Sequence, residues 1–272
     1  VRGEFIDLSG ARLYYYAAGT RGSGNPVVFI HGFPTSGHLW SEVVSLMPPG
    51  HRLVVLDLLG YGRSDRPLSR SVDAGAHADR VVALLDELRI ERACIVGHGF
   101  GGGVAQCIAV RNSARVSHLG LIDSIAFDRW PIARLRVSRA LLPLASLVPP
   151  GFLLSRLRRE VERGFGDRVR AARSIDIYIR PFTGPDGALA LAAHIKGLST
   201  NDRDVHAGLS SLDIPAAVVS GRRDRVLPLD TAKSLAGRIP NATLDVIGDG
   251  HHFTPEETPR QVADSIAALL RR

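Results

Sequence analysis

A pair of histidines and two aspartates stand where they can move protons. Gly248-Asp249-Gly250-His251-His252-Phe253 follows an apolar, β-rich run, and Ser220-Gly221-Arg222-Arg223-Asp224 follows the run before it. A carboxylate one strand away from a loop histidine can orient the imidazole and leave its second nitrogen as a general base. Asp123, at the end of the apolar run Leu119–Ile122, is a second carboxylate in reach of the same role. Upstream, Gly97-His98-Gly99-Phe100-Gly101-Gly102-Gly103 joins an apolar strand to an apolar helix. The start of such a helix aims free backbone N–H groups at negative charge. The centre of that turn is Gly99, which has no side chain to attack anything.

In order along the chain, these segments resemble the α/β-hydrolase fold superfamily, closest to its epoxide hydrolase and haloalkane dehalogenase-like branch. His31-Gly32-Phe33-Pro34, with Trp40 nine residues past His31, is similar to the H-G-F-P…W segment of that branch. Asp57-Leu58-Leu59-Gly60-Tyr61-Gly62-Arg63-Ser64-Asp65-Arg66-Pro67 is similar to its D-x-x-G-x-G-x-S-x-x-P loop. The Gly97–Gly103 segment looks like the G-x-Nuc-x-G nucleophile elbow. Relatives reading G-H-D-F-G-G-G, with Asp as nucleophile, match it best, and those reading G-H-S-F-G-G come next.

The resemblance implies a role for each motif. The N–H groups of Phe33 and Phe100 would form an oxyanion hole, and Asp224 would orient the catalytic histidine. Family members place a proline seven residues after that histidine and a phenylalanine directly after it. Pro259 and Phe253 then select His252, with His251 as runner-up. Asp123 holds the position of the alternative acid in some haloalkane dehalogenases. Trp40, Asp123, Tyr178 and His251 are the candidate substrate contacts, Tyr178 because epoxide hydrolases use cap tyrosines to protonate the epoxide. His31 and His98 read as structural members of their motifs. Phe100 and Gly103 stand where fluoroacetate dehalogenases carry arginines, so a small haloacid is not expected.

With Gly99 at the nucleophile position, the remaining parts suit chemistry that needs no covalent intermediate. A retained base and oxyanion hole could run ring opening by water, C–C cleavage, decarboxylation, cyclisation or elimination. Two other readings stay open from the residues. One is the nucleophile-knockout form of a covalent hydrolase, an epoxide hydrolase first and an esterase next. The other is a non-catalytic ligand-binding homologue.

Apolar runs alternate with amphipathic segments, which predicts a mostly parallel sheet covered by helices. The strands are expected at Phe5–Leu8, Leu13–Ala17, Val27–His31, Leu53–Asp57, Ala93–Val96, Leu119–Ile122, Ala216–Ser220 and Thr243–Ile247. Helices are expected near His38–Leu46, Val72–Leu88, Phe100–Arg111, Thr231–Arg238 and Pro259–Leu270. Between about Ile125 and Asp213 the strand rhythm stops and the pattern turns helical, with 12 arginines between Arg129 and Arg180. The expected fold is thus an α/β-hydrolase core of residues 1–124 and 214–272, with eight strands, carrying a helical cap at 125–213.

Composition excludes several classes. Of the 34 basic residues only Lys196 and Lys233 are lysine, an arginine bias like that of a high-GC bacterial genome. No nucleic-acid motif accompanies the net charge of +7. No metal-ligand spacing occurs, and no cofactor is expected. Gly97-x-Gly99-x-x-Gly102 matches the dinucleotide string but lies on the fifth strand, where hydrolase motifs already explain its glycines. Cys94 and Cys107 fall in apolar segments and read as buried thiols. Without a signal peptide or a membrane-length apolar run, the expectation is a cytoplasmic protein acting on a small organic molecule. A homodimer stays open.

Overall fold

Eight short, β-branched runs form one sheet in the computed structural model, which describes residues 3–8, 10–19, 24–126, 150–184, 186–198 and 203–272. The strands are β1 (Glu4–Asp7), β2 (Arg12–Ala18), β3 (Val27–Ile30), β4 (Leu53–Leu56), β5 (Ala93–His98), β6 (Val116–Ile122), β7 (Ala216–Gly221) and β8 (Ala242–Ile247). Their order across the sheet is β1-β2-β4-β3-β5-β6-β7-β8. β2 runs antiparallel to β1 and β4, and the remaining neighbours are parallel. Every residue of β3, β4, β5, β6 and β7 is buried. That is why they read as unbroken apolar runs: a parallel strand is covered on both faces. Each buried Val, Leu or Ile contributes about 1.5–3 kcal/mol of transfer free energy.

The covering helices follow from their stripes and caps. These are α1 (Ser41–Leu46, after a 3-10 turn at Gly37–Trp40), α2 (Ala74–Glu87) and α3 (Phe100–Arg111). α2 begins two residues later than the periodicity predicts, because Asp73 caps it by accepting the Ala76 N–H at 2.8 Å. α3 starts where expected and is buried from Phe100 to Ala109, as the helix under the middle of the sheet.

Between β6 and β7 come α4 (Pro150–Gly164), α5 (Arg168–Ile179), a 3-10 turn at Arg180–Phe182, α6 (Gly187–Gly197) and α7 (Arg203–Gly208). The helical pattern expected for the insertion is present in its described part; residues 127–149 lie outside the described residues. Asp167 caps α5 through the N–H groups of Val169 and Arg170. Some of the insertion's arginines are paired at the surface, Arg158 with Asp176 at 2.6 Å and Arg170 with Glu42 at 2.7 Å. Such exposed pairs contribute about 0–1 kcal/mol each.

The chain closes with α8 (Leu229–Arg238), α9 (Thr254–Glu257) and α10 (Pro259–Leu269). Val262, Ala263, Ile266 and Leu269 make the buried stripe of α10. Cys94 and Cys107 are free and buried. Among the described residues, no helix is long and apolar enough to cross a membrane.

Candidate active site

The turn from β5 into α3 holds Gly99 at φ +54°, ψ −120°, a backbone shape that side chains rarely adopt. The glycines around it allow strand, turn and helix to touch. A Cβ on Gly97 would fall 2.2 Å from the Gly101 carbonyl oxygen, and one on Gly101 would fall 2.3 Å from that of His31. Gly99 differs. A Cβ there would meet only His252 Nε2 at 3.7 Å, Gly32 Cα at 3.9 Å and His252 Cε1 at 3.9 Å, all ordinary van der Waals distances. The empty side-chain position therefore faces the histidine selected by the Phe-Pro spacing.

His252 is held from both sides. Its Nδ1 lies 2.8 Å from Asp224 Oδ2, and the Asp224 side chain has no exposed surface. Asp224 Oδ1 accepts the N–H groups of Val226 at 2.6 Å and Leu227 at 2.9 Å, so the loop after β7 fixes the carboxylate before it meets the imidazole. A carboxylate only accepts, so Nδ1 carries the proton and Nε2 keeps a lone pair toward Gly99. Burial opposes the imidazolium, but the charge and hydrogen bond of Asp224 outweigh it and raise the His252 pKa above its ordinary value. The His252 N–H donates to the Gly164 carbonyl at 3.0 Å, which ties this loop to the end of α4.

The neighbouring histidines, His98 and His31, are held by backbone partners. Nε2 of His98 donates to the His252 carbonyl at 2.8 Å. His31 accepts the Leu58 N–H at Nε2 (2.9 Å) and donates from Nδ1 to the Gly32 carbonyl (2.8 Å). Burial holds both rings neutral, pushing their pKa values down. The Gly32 carbonyl also accepts from the Thr35 N–H at 3.0 Å and the Thr35 hydroxyl at 2.9 Å. Because a trans peptide unit is planar, a fixed Gly32 carbonyl turns the Phe33 N–H the opposite way. The Phe100 N–H is the first of α3, and neither it nor the Phe33 N–H has a hydrogen-bond partner among the described residues.

Asp123 sits beside this machinery without touching the imidazole. It has φ +41°, is 2% exposed, accepts the Gly221 N–H at 2.8 Å, and takes a hydrogen bond from the Thr254 hydroxyl. Burial and the nearby Asp224 charge push its carboxyl up to about 8. Asp224, and not Asp123, is the acid that meets His252.

Of the other three candidate contacts, Tyr178 and His251 have partners elsewhere. The Trp40 side chain is fully buried, tilted against Phe29 at 5.1 Å and edge-on to His98 at 6.4 Å between ring centroids. It packs against the elbow, and its Nε1 has no hydrogen-bond partner among the described residues. His251 packs near Gly166, with Nδ1 3.5 Å from Glu257 Oε2, and is not paired with Asp224. Tyr178 is fully buried and its hydroxyl donates to Glu256, to which the Ser174 hydroxyl also donates. Sequence reasoning missed Glu256, since it followed the acidic residue at Glu257. Its partners lie about 80 residues away and leave no local signal. A cavity of about 600 Å³ lies between the Gly62–Leu68 loop and residues 181–190; none of the paired groups lines it.

Residues 25–174 match the family described as alpha/beta hydrolase fold. The chain is 29% identical over 255 residues to the 2-hydroxymuconate semialdehyde hydrolase of Pseudomonas sp. (strain CF600), covering 92% of this chain and 88% of that one. It is 27% identical to a haloalkane dehalogenase of Mesorhizobium japonicum, covering 97% and 90% of the two chains. Among solved structures, an alpha/beta hydrolase fold protein from Burkholderia ambifaria superposes with a TM-score of 0.86 at 26% identity, covering 99% of this chain and 97% of that one. The eight-stranded order, the glycine-packed elbow and the matched length agree, and the chain belongs to the α/β-hydrolase fold family.

Proposed function

We propose that the chain is a cofactor-independent enzyme acting on a small, largely apolar organic substrate by non-covalent catalysis. His252 is the general base and Asp224 sets its tautomer. The N–H groups of Phe33 and Phe100 stabilise the oxygen on which negative charge develops. The helices between β6 and β7, within residues 125–213, serve as the cap. One observation carries the reading: His252 stays paired to Asp224 at 2.8 Å while its Nε2 faces a position with no side chain. An atom at the Cβ position of Gly99 would stand at ordinary van der Waals distance from Nε2, at the place where a nucleophile would start.

Catalysis then runs in two proton transfers. Nε2 takes a proton from the substrate or from a water next to Gly99, and charge moves to the oxygen held by the two N–H groups. The imidazolium, stabilised by Asp224, returns the proton to the departing atom. Ring opening, C–C cleavage, decarboxylation, cyclisation and elimination are the reaction classes that this sequence serves. Removal of a triad nucleophile can still leave about 10³–10⁴-fold acceleration over water from hole and binding. The test is steady-state kinetics of two alanine variants. His252→Ala should abolish turnover while His251→Ala weakens it less, and the reverse ranking would move the base to His251.

A second reading, a covalent hydrolase lacking its attacking residue, draws on the room at Gly99. A side chain starting there meets the base at van der Waals distance, as an attacking group must. Introducing a nucleophile at Gly99 separates the two.

A further inference from the structure

Four polar atoms beside the oxyanion loop have no hydrogen-bond partner among the described residues: Tyr61 Oη, both ring nitrogens of His77, and His194 Nδ1. Their residues are 1%, 0% and 3% exposed. Buried polar groups are almost always paired, so a cluster of unpaired ones calls for a partner. Three separate elements bring them together: the loop after β4, the first turn of α2, and α6. The Tyr61 ring lies 4.2 Å from His194 and 6.3 Å from His77, between centroids. The same cluster borders both halves of the proposed oxyanion hole. Tyr61 stands edge-on to Phe33 at 6.4 Å, and His77 to Phe100 at 6.2 Å.

The protonation states decide what the cluster can hold. Burial, with the charges of Arg80 and His194 adding to it, keeps His77 well below its ordinary pKa. Burial lowers His194 to about 4, and its other nitrogen is engaged with the Gly60 backbone. A carbonyl only accepts, so that nitrogen carries the proton and His194 Nδ1 is left as an acceptor. Tyr61 stays a phenol, its pKa raised by burial. The cluster thus offers one bare acceptor, one hydroxyl, and a neutral imidazole with one donor and one acceptor. A carboxylate has no proton for His194 Nδ1, and an apolar group satisfies none of them. A hydroxyl both gives and takes.

We propose that Tyr61, His77 and His194 form a specificity subsite for a hydroxyl group, alcoholic or phenolic, on the substrate. The subsite rests on the reading of the neighbouring Phe33–Phe100 region as the active centre, but its occupancy is a binding equilibrium and needs no turnover. Phenol, toluene and benzoate are matched probes. Isothermal titration of the intact protein should show phenol binding about tenfold tighter than toluene, the usual worth of one good buried hydrogen bond. Benzoate should bind more weakly than phenol. Tyr61→Phe, which keeps the ring, should remove most of the phenol preference and leave toluene within about twofold. On the unsubstituted protein, ¹⁵N NMR should show the His77 and His194 ring nitrogens shifting on phenol addition, with both rings still neutral. Equal binding of phenol and toluene, tightest binding of benzoate, or a phenol preference untouched in Tyr61→Phe would each overturn the proposal. So would ring-nitrogen signals that ignore phenol. The same titrations on His252→Ala keep this result independent of the proposed catalysis.

Discussion

Replacing Asp224 with asparagine keeps the size of the side chain and removes its charge, which isolates what the carboxylate does for His252. The amide oxygen of the replacement can still accept the Val226 and Leu227 N–H groups, so the loop after β7 keeps its anchors. The amide nitrogen would then point at His252 Nδ1, now 2.8 Å from a carboxylate oxygen. Facing a donor, Nδ1 must accept, the proton moves to Nε2, and the lone pair that faces Gly99 is lost. The lost charge also matters. Two unit charges about 4 Å apart interact by about 4 kcal/mol at an effective dielectric of 20. An Asp→Asn change at the orienting acid of a serine-protease triad lowers turnover about 10⁴-fold, about 5 kcal/mol of barrier. Asp224→Asn should therefore cut turnover 10³–10⁴-fold, on the order of those two figures. An NMR titration should show the His252 pKa dropping, because the Asp224 charge and hydrogen bond that outweigh burial are gone and only the weaker pulls of Asp123 and Glu257 remain. Asp123→Asn is the control: its carboxyl is pushed up to about 8 and is already neutral at pH 7, so turnover should change less than about tenfold. A variant Asp224→Asn within tenfold of the parent, or an unmoved His252 pKa, would refute this reasoning.

Two further outcomes follow from packing and burial. Burial pushes the Glu256 carboxyl up from 4.5 to about 7. Its contribution to stability is then complete below pH 4.5 and is lost as pH rises through 7, about 3 kcal/mol over the interval. Urea unfolding of Glu256→Gln should thus gain on the parent by that amount between about pH 4 and 8, and a constant difference would contradict it. A Cβ at Gly101 would sit 2.3 Å from the His31 carbonyl oxygen and 2.5 Å from that of Ile30, both backbone atoms. Gly101→Ala should cost about 3 kcal/mol or more, against about 1–3 kcal/mol for Gly99→Ala, whose penalty is its positive φ alone. Denaturant midpoints of the two variants check the ranking.

Legibility in the sequence follows the range of the interactions involved. Local patterning located the eight strands, because parallel strands buried on both faces are apolar runs bounded by turns. β5 runs two residues further than expected, through His98, since Gly97 and His98 pair with Leu121 and Ile122 of β6. The pairing of His252 with Asp224 was legible through motif order, and the packing of the elbow glycines through their spacing. Side-chain partners far apart in the chain were not. Nothing local to Tyr178 announces Glu256, and nothing local to Asp123 announces Thr254.

Installing a nucleophile at Gly99 and weighing the protein during turnover is the most direct test of catalysis without a covalent intermediate. The parent chain, Gly99→Asp and Gly99→Ser would each be mixed with esters, epoxides and C–C cleavage substrates, with turnover and intact mass followed together. The parent should turn over at least one class with its mass unchanged. Both variants should be slower, because a new side chain fills the space before Nε2 and the Asp carboxylate repels the developing oxyanion. A parent without activity, beside a Gly99→Asp or Gly99→Ser enzyme that is faster and carries a transient adduct, would contradict it.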